Sequence, residues 1–231
     1  MRTLRIILAV LLTLTGGACA IFSYEGTAPG ELKGQLLVIW VDEDRFVYWP
    51  KTNDPLVFGL GPALQRKLGI KAIRPGLMYT DGGSIPRPLR AFDGFSPWGY
   101  GPAYILHDWI FAAHHCIMQG RPDPEDPIEY DKVKRFTFDD SAALLAEVMK
   151  TLMANNRVRP NAEVFNLISF GVDSGVARNL WDTSDPKSCQ PVTADDRKAI
   201  EDALRRKSLR TFAPGERSPR KPPLIVYSQT Y

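Results

Sequence analysis

Two short segments carry the residue types that chemistry needs. The run "LMYTDGGSIPRP", residues 77–88, brings an acid, two glycines, a serine and an arginine together between prolines and a β-rich lead-in. The run "AYILHDWIF", residues 103–111, sets His107 beside Asp108 in an otherwise apolar stretch. An imidazole gives and takes protons near neutral pH, so His107 is a candidate general base acting on water. A carboxylate beside it can hold a cation, and Asp81 offers a second. In the glycine turn, backbone groups can approach a ligand closely, with Ser84 and Arg87 to bind substrate.

Spacing narrows these roles. Neighbours on a helix point about 100° apart, so His107 and Asp108 cannot chelate one ion well, but they can serve two roles at one cleft. His114 shares the face of His107 two turns on, not the one-turn spacing of helical zinc pairs, which makes a metal pair there the weaker reading. Asp140 opens a later helix. Facing His107 across an antiparallel pair, it would hold the imidazole in one tautomer and complete a general base. The alternative at Asp140 is structural: in "TFDD" Thr137 is an N-cap and Asp140 its N3 partner. His107 likewise has an alternative as a buried histidine bonded to a carbonyl, and Asp81, Arg87 and Asp108 as a plain ion-pair network. Both sets of readings stand on the sequence.

The elements that must position these residues divide the chain. "QLLVIWVDEDRFVYW", residues 35–49, reads as a hairpin around an acidic turn. "PLVFGL" and "IKAIRPGLMYT" read as further strands, with Pro75–Gly76 between two of them. From Pro102 to Met118 an apolar stripe at helical spacing predicts an amphipathic helix. Residues 120–130, with three prolines and four acids, predict an exposed loop. Helices follow at about 138–155, over "NAEVFNLISFG" with an extension into "SGVARNLW", and over "TADDRKAIEDALRRKSL", which opens with a Thr193–Asp196 capping pair. The fold class is therefore α+β, a small N-terminal antiparallel sheet packed on a bundle of three to four helices. "LIVYSQTY" at the end can add an edge strand.

The first 20 residues have the form of an export signal: Arg2 and Arg5, the apolar core "IILAVLLTLT", then "ACA". The apolar core is shorter than the ~20 residues of a bilayer span. Lipidation at Cys19 is the alternative to cleavage after Ala20. The chain is then exported to the periplasm or envelope, and Cys116 and Cys189 remain. They either form a disulfide, as an oxidising compartment allows, or stay two buried thiols. Of the formal charge of +3, two units belong to Arg2 and Arg5. The basic excess lies between Arg205 and Lys221, with seven Lys/Arg against Glu216. It suits contact with a membrane surface or cell wall, or else a solvated arm. Aromatic interleaving is confined to Phe212, so nucleic acid is not an expected partner.

Taken in order, "YTDGGSIPR", "LHDWIF", Asp140 opening "SAALLAEVMKTL", and "FNLISFGVDSG" resemble the bacterial and phage family known as domain of unknown function 1353. The resemblance covers about residues 34–182 and implies Asp81, Ser84, Pro86, Arg87, His107, Asp108 and Asp140 as site positions, without an assigned activity. The acidic loop at 120–130 and the basic C-terminal stretch depart from that pattern. A looser likeness of parts is to secreted phospholipase A2, where a helix His–Asp pair and a glycine loop work with calcium. It implies a divalent cation, Ca²⁺ first, on Asp108 and Asp81, although the dense cysteines of those enzymes are missing.

The organisation expected is a signal peptide at 1–20, an extended leader at 21–33, a core domain at 34–182, a loop and helix at 183–210, and a basic Pro-rich tail at 211–231. The function expected is a cation-assisted hydrolase of a lipid ester or wall component. The alternative is a non-enzymatic envelope or phage-derived protein whose Asp/Arg/His cluster is structural.

Overall fold

The computed structural model describes residues 22–42, 45–80, 99–123, 125–183, 185–205 and 224–231. The architecture is α+β, with two antiparallel sheets and seven α-helices among the described residues. One sheet has strands β1 (Glu31–Lys33), β4 (Val57–Gly59) and β5 (Ala72–Ile73), in the order β1-β4-β5. The other contains β2 (Gln35–Asp42), β3 (Arg45–Tyr48), β6 (Met78–Thr80) and β7 (Leu224–Thr230), in the order β6-β3-β2-β7. The chain passes from β1 to β2 at Gly34, whose φ of 86° and 1.9 Å clearance from added Cβ to the Pro55 carbonyl oxygen leave no room for a side chain.

β2 explains why the second sheet is covered on both sides. Leu36, Leu37, Val38 and Ile39 are all buried, and strand side chains alternate between faces. Leu36 and Val38 enter the main core, whereas Leu37 and Ile39 pack with Val47, Val192 and Ile200 in a second cluster. Ile200 lies on the last helix, α7 (Ala194–Arg205), which therefore covers the outer face of the sheet. Tyr79 fastens it: its hydroxyl donates to Asp196 Oδ2 at 2.5 Å and accepts the Thr193 backbone N–H at 3.0 Å. The edge strand β7 pairs antiparallel with β2 from Gln35↔Thr230 onward, as expected for the "LIVYSQTY" segment, while residues 206–223, with most of the basic stretch, lie outside the described residues.

The remaining helices are α1 (Pro62–Leu68), α2 (Gly101–Met118), α3 (Pro127–Val133), α4 (Phe138–Ala154), α5 (Ala162–Val172) and α6 (Gly175–Asp182). Two of them correct the sequence expectation. α1 interrupts a stretch expected to be β-rich, with Pro62 at its start and Gly69 in the left-handed conformation at its end. α3 begins inside the stretch expected as a loop, because Pro127 occupies a first-turn position that needs no N–H partner. α5 and α6 are separate, since Ser174 caps α6 by accepting the Ala177 N–H at 3.2 Å.

α2 is the central helix. It buries Gly101 through Leu106, Trp109, Ile110, Ala113, His115 and Cys116, more than the one stripe read from the sequence. Its last turn is tied by the Cys116–Cys189 disulfide to a 3₁₀ turn at Pro186–Cys189. The pairing closes a loop of sequence separation 73, worth about 4 kcal/mol in a chain-entropy account. Among the described residues, no helix is long and apolar enough to cross a membrane.

α4 grips α1 at both ends with buried carboxylates. At the start of α1, Glu147 Oε2 accepts the Gly61 N–H at 2.8 Å, and the Leu64 N–H bonds the same carboxylate. A Cβ at Gly61 would lie 2.7 Å from Glu147 Oε1, so a side chain there would push the carboxylate from its place. At the end of α1, Lys67 Nζ meets Asp140 Oδ1 at 2.6 Å.

Burial pushes the Glu147 carboxyl up to about 7, against the opposing pull of the two N–H groups. A raised carboxyl means that the folded protein holds a proton the unfolded chain releases. Its contribution to stability is thus full below pH 4.5 and is lost as pH rises through about 7. Chemical denaturation across that window should show wild-type stability falling relative to Glu147→Gln; parallel curves for the two proteins would contradict the assignment.

Candidate functional site

The site is built on one face of α2. Residues 104, 107 and 108 stand at i, i+3 and i+4, which places Tyr104, His107 and Asp108 side by side. The helix is anchored to the sheet here, because Thr80 Oγ1 at the end of β6 donates to Asp108 Oδ2 at 2.9 Å. Thr80 directly precedes the "DGGSIPR" run in sequence, so the entry to that run abuts the His–Asp helix. Asp81, Ser84, Pro86 and Arg87 themselves lie outside the described residues.

His107 Nδ1 lies 4.0 Å from Asp108 Oδ1, close enough for charge attraction and too long for a hydrogen bond. Its Nε2 is buried and has no hydrogen-bond partner among the described residues. The same is true of the Tyr104 hydroxyl. Burial raises the Tyr104 phenol well above its ordinary value, and the neighbouring Tyr100 and the Asp108 charge raise it further, so the group stays an O–H donor. The Asp108 side chain is 27% exposed and the His107 side chain 12%, so the cluster meets solvent at the carboxylate.

Asp140 is elsewhere. Its Oδ2 accepts the Thr137 N–H at 3.0 Å and the Thr137 hydroxyl at 2.7 Å, completing a capping box, while Oδ1 takes the Lys67 ion pair. With only 2% of its side chain exposed, both oxygens are committed to the start of α4 and the end of α1. No hydrogen bond joins it to His107 among the described residues, so Asp140 is not the group that orients the imidazole. This corrects the expected catalytic pairing: the capping-box geometry won the carboxylate.

The other two histidines are also accounted for. His115 Nε2 bonds the Leu180 carbonyl oxygen at 2.9 Å, and the His114 ring stacks on Trp181 at 3.8 Å. Burial lowers the His114 pKa, with the neighbouring His115 acting in the same direction. Rings run in a row from His107 to Phe111 (4.7 Å), Phe111 to Trp181 (4.9 Å) and Trp181 to His114. Two aromatic side chains thus stand between His107 and His114, and the two do not converge on one ion.

A calcium ion would need several oxygen ligands. Among the described residues, no group of three His, Cys, Asp or Glu side chains is placed to hold a metal. Asp108 offers a single carboxylate, already engaged by Thr80, and its expected companion Asp81 lies outside the described residues. What the arrangement offers chemically is a proton acceptor at His107, an O–H donor at Tyr104 and a negative charge at Asp108. Tyr104 was missed in the sequence, although the Tyr100–Tyr104–Asp108 spacing, i, i+4, i+8, signals a shared face leading to the pair.

No family model, curated protein or solved structure matches the chain.

Asp140→Ala removes the reciprocal half of the capping box and the ion pair to the largely exposed Lys67, which should cost about 1–2 kcal/mol in urea unfolding. Wild-type stability in that variant would contradict the structural role given to this carboxylate.

Proposed function

We propose that the chain is an exported envelope protein that hydrolyses a carboxylic ester, of a lipid or of a cell-wall component, with His107 as general base. The observation that carries this reading is the buried Nε2 of His107, with no partner among the described residues, beside a carboxylate anchored by Thr80. A buried ring nitrogen in a protein interior normally has a hydrogen-bond partner, as His115 Nε2 has in the Leu180 carbonyl. In the hydrolytic step Nε2 takes a proton from water as the water oxygen bonds to the acyl carbon. The proton then passes to the leaving oxygen as the acyl–oxygen bond breaks. Asp108, 4.0 Å away, favours the imidazolium formed in between.

Export is supported by the form of residues 1–20 and by the Cys116–Cys189 pairing, which suits an oxidising compartment. The basic stretch from Arg205 to Lys221 would meet anionic headgroups or wall polymers.

A second reading, a non-enzymatic envelope or phage-derived protein, is favoured at one position. Asp140 belongs to a structural network with Thr137 and Lys67, as that reading expects. The two part company over activity. On p-nitrophenyl butyrate, His107→Ala should lose at least about 100-fold in kcat/KM with its fold retained. Undiminished hydrolysis in that variant, or none in the wild type, would favour the structural reading.

A further inference from the structure

We propose that Tyr104 is a catalytic residue that donates a hydrogen bond to the ester carbonyl, and that Tyr104, His107 and Asp108 together select an uncharged acyl group. The inference rests on the hydrolase reading and narrows its substrate.

Tyr104 is 6% exposed, its hydroxyl is fully buried, and the group has no hydrogen-bond partner among the described residues. Buried polar atoms are rarely left so. Here two of them, the Tyr104 hydroxyl and His107 Nε2, belong to residues one helical turn apart on the same face of α2. Ester hydrolysis asks for two such groups, a donor aimed at the carbonyl oxygen and an acceptor for a proton of water. The phenol supplies the first, since burial and the nearby Asp108 charge keep it protonated. The imidazole supplies the second. Phe111, 4.7 Å from the His107 ring, gives an apolar wall against which an acyl chain can lie.

Charge decides which acyl group enters. Asp108 is the part of the cluster most open to solvent, and Thr80 fixes its carboxylate in place. An acyl group that carries its own carboxylate or phosphate is repelled there, whereas a neutral carbonyl is not. As the water oxygen bonds to the acyl carbon, the carbonyl electrons move onto oxygen, and that oxyanion receives the Tyr104 hydrogen bond. Tyr104 keeps its proton throughout. His107 holds the proton of water until the alcohol oxygen leaves with it.

The test compares the purified protein with Tyr104→Phe, His107→Ala and Asp108→Asn on two esters, neutral p-nitrophenyl acetate and the anionic mono-p-nitrophenyl succinate. Tyr104→Phe should lose about 100-fold in kcat on the acetate with KM little changed, the usual loss of one oxyanion donor. Its melting temperature should be unchanged or higher, because the hydroxyl gives up no protein partner. The wild type should prefer the acetate, and Asp108→Asn should narrow that preference. Wild-type kcat in Tyr104→Phe, with hydrolysis still dependent on His107, would overturn the role of Tyr104 and leave the hydrolase reading standing. A lowered melting temperature in Tyr104→Phe would make the hydroxyl structural and also overturn it. Full activity in His107→Ala, or no hydrolysis by the wild type, would remove the hydrolase reading and this one with it.

Discussion

A helix buried along most of its length must account for every polar group it carries, and α2 imposes that constraint on the whole molecule. Helices, the second sheet and the disulfide-linked turn all meet it, so its polar side chains have few places to go. Asp108 reaches Thr80 at the end of β6. His115 reaches the carbonyl of Leu180, and His114 lies flat on Trp181. These contacts lock α6 and the sheet onto α2. On α2 the buried side-chain atoms left without a partner among the described residues are the Tyr104 hydroxyl and His107 Nε2, and both residues share a face with the partly exposed Asp108.

The same logic separates carboxylates that build from carboxylates that can act. Asp140 and Glu147, two turns apart on α4, are spent on the two ends of α1. Glu129 is spent likewise, accepting the Arg74 N–H at 3.0 Å and the Lys132 ammonium at 2.6 Å. Each such group accepts a backbone N–H, and Asp140 and Glu129 also meet the ammonium of a partly exposed lysine. Asp108 differs in having one oxygen engaged and a face toward solvent.

Much of the framework was legible in the sequence. β2 and β3 fall in the two β-rich runs expected to pair, α2 and α4 fall within a residue or so of their expected limits, and the α+β class holds. Local signals were enough because periodicity and capping are local. α1 was not legible, since a seven-residue helix between strands owes its existence to Glu147 and Asp140 reaching it from α4. α3 was hidden because prolines read as breakers can also begin a helix. At the candidate site, residue type alone singles out His107 and Asp108. Their partners were not, because the choice of Asp140 between the capping box and His107 is made by three-dimensional register. The Tyr104 hydroxyl gains meaning only once its burial is known.

The central claim is that, of three histidines on one helix, only His107 faces a ligand. It is tested most directly by following the imidazole nitrogens by ¹⁵N NMR while 4-nitroacetanilide, an uncharged carbonyl compound that hydrolyses slowly, is titrated in. The account predicts a saturable shift at His107 Nε2, with the nitrogens of His114 and His115 unmoved because Trp181 and the Leu180 carbonyl already hold them. A silent His107, or three histidines moving together, would contradict it.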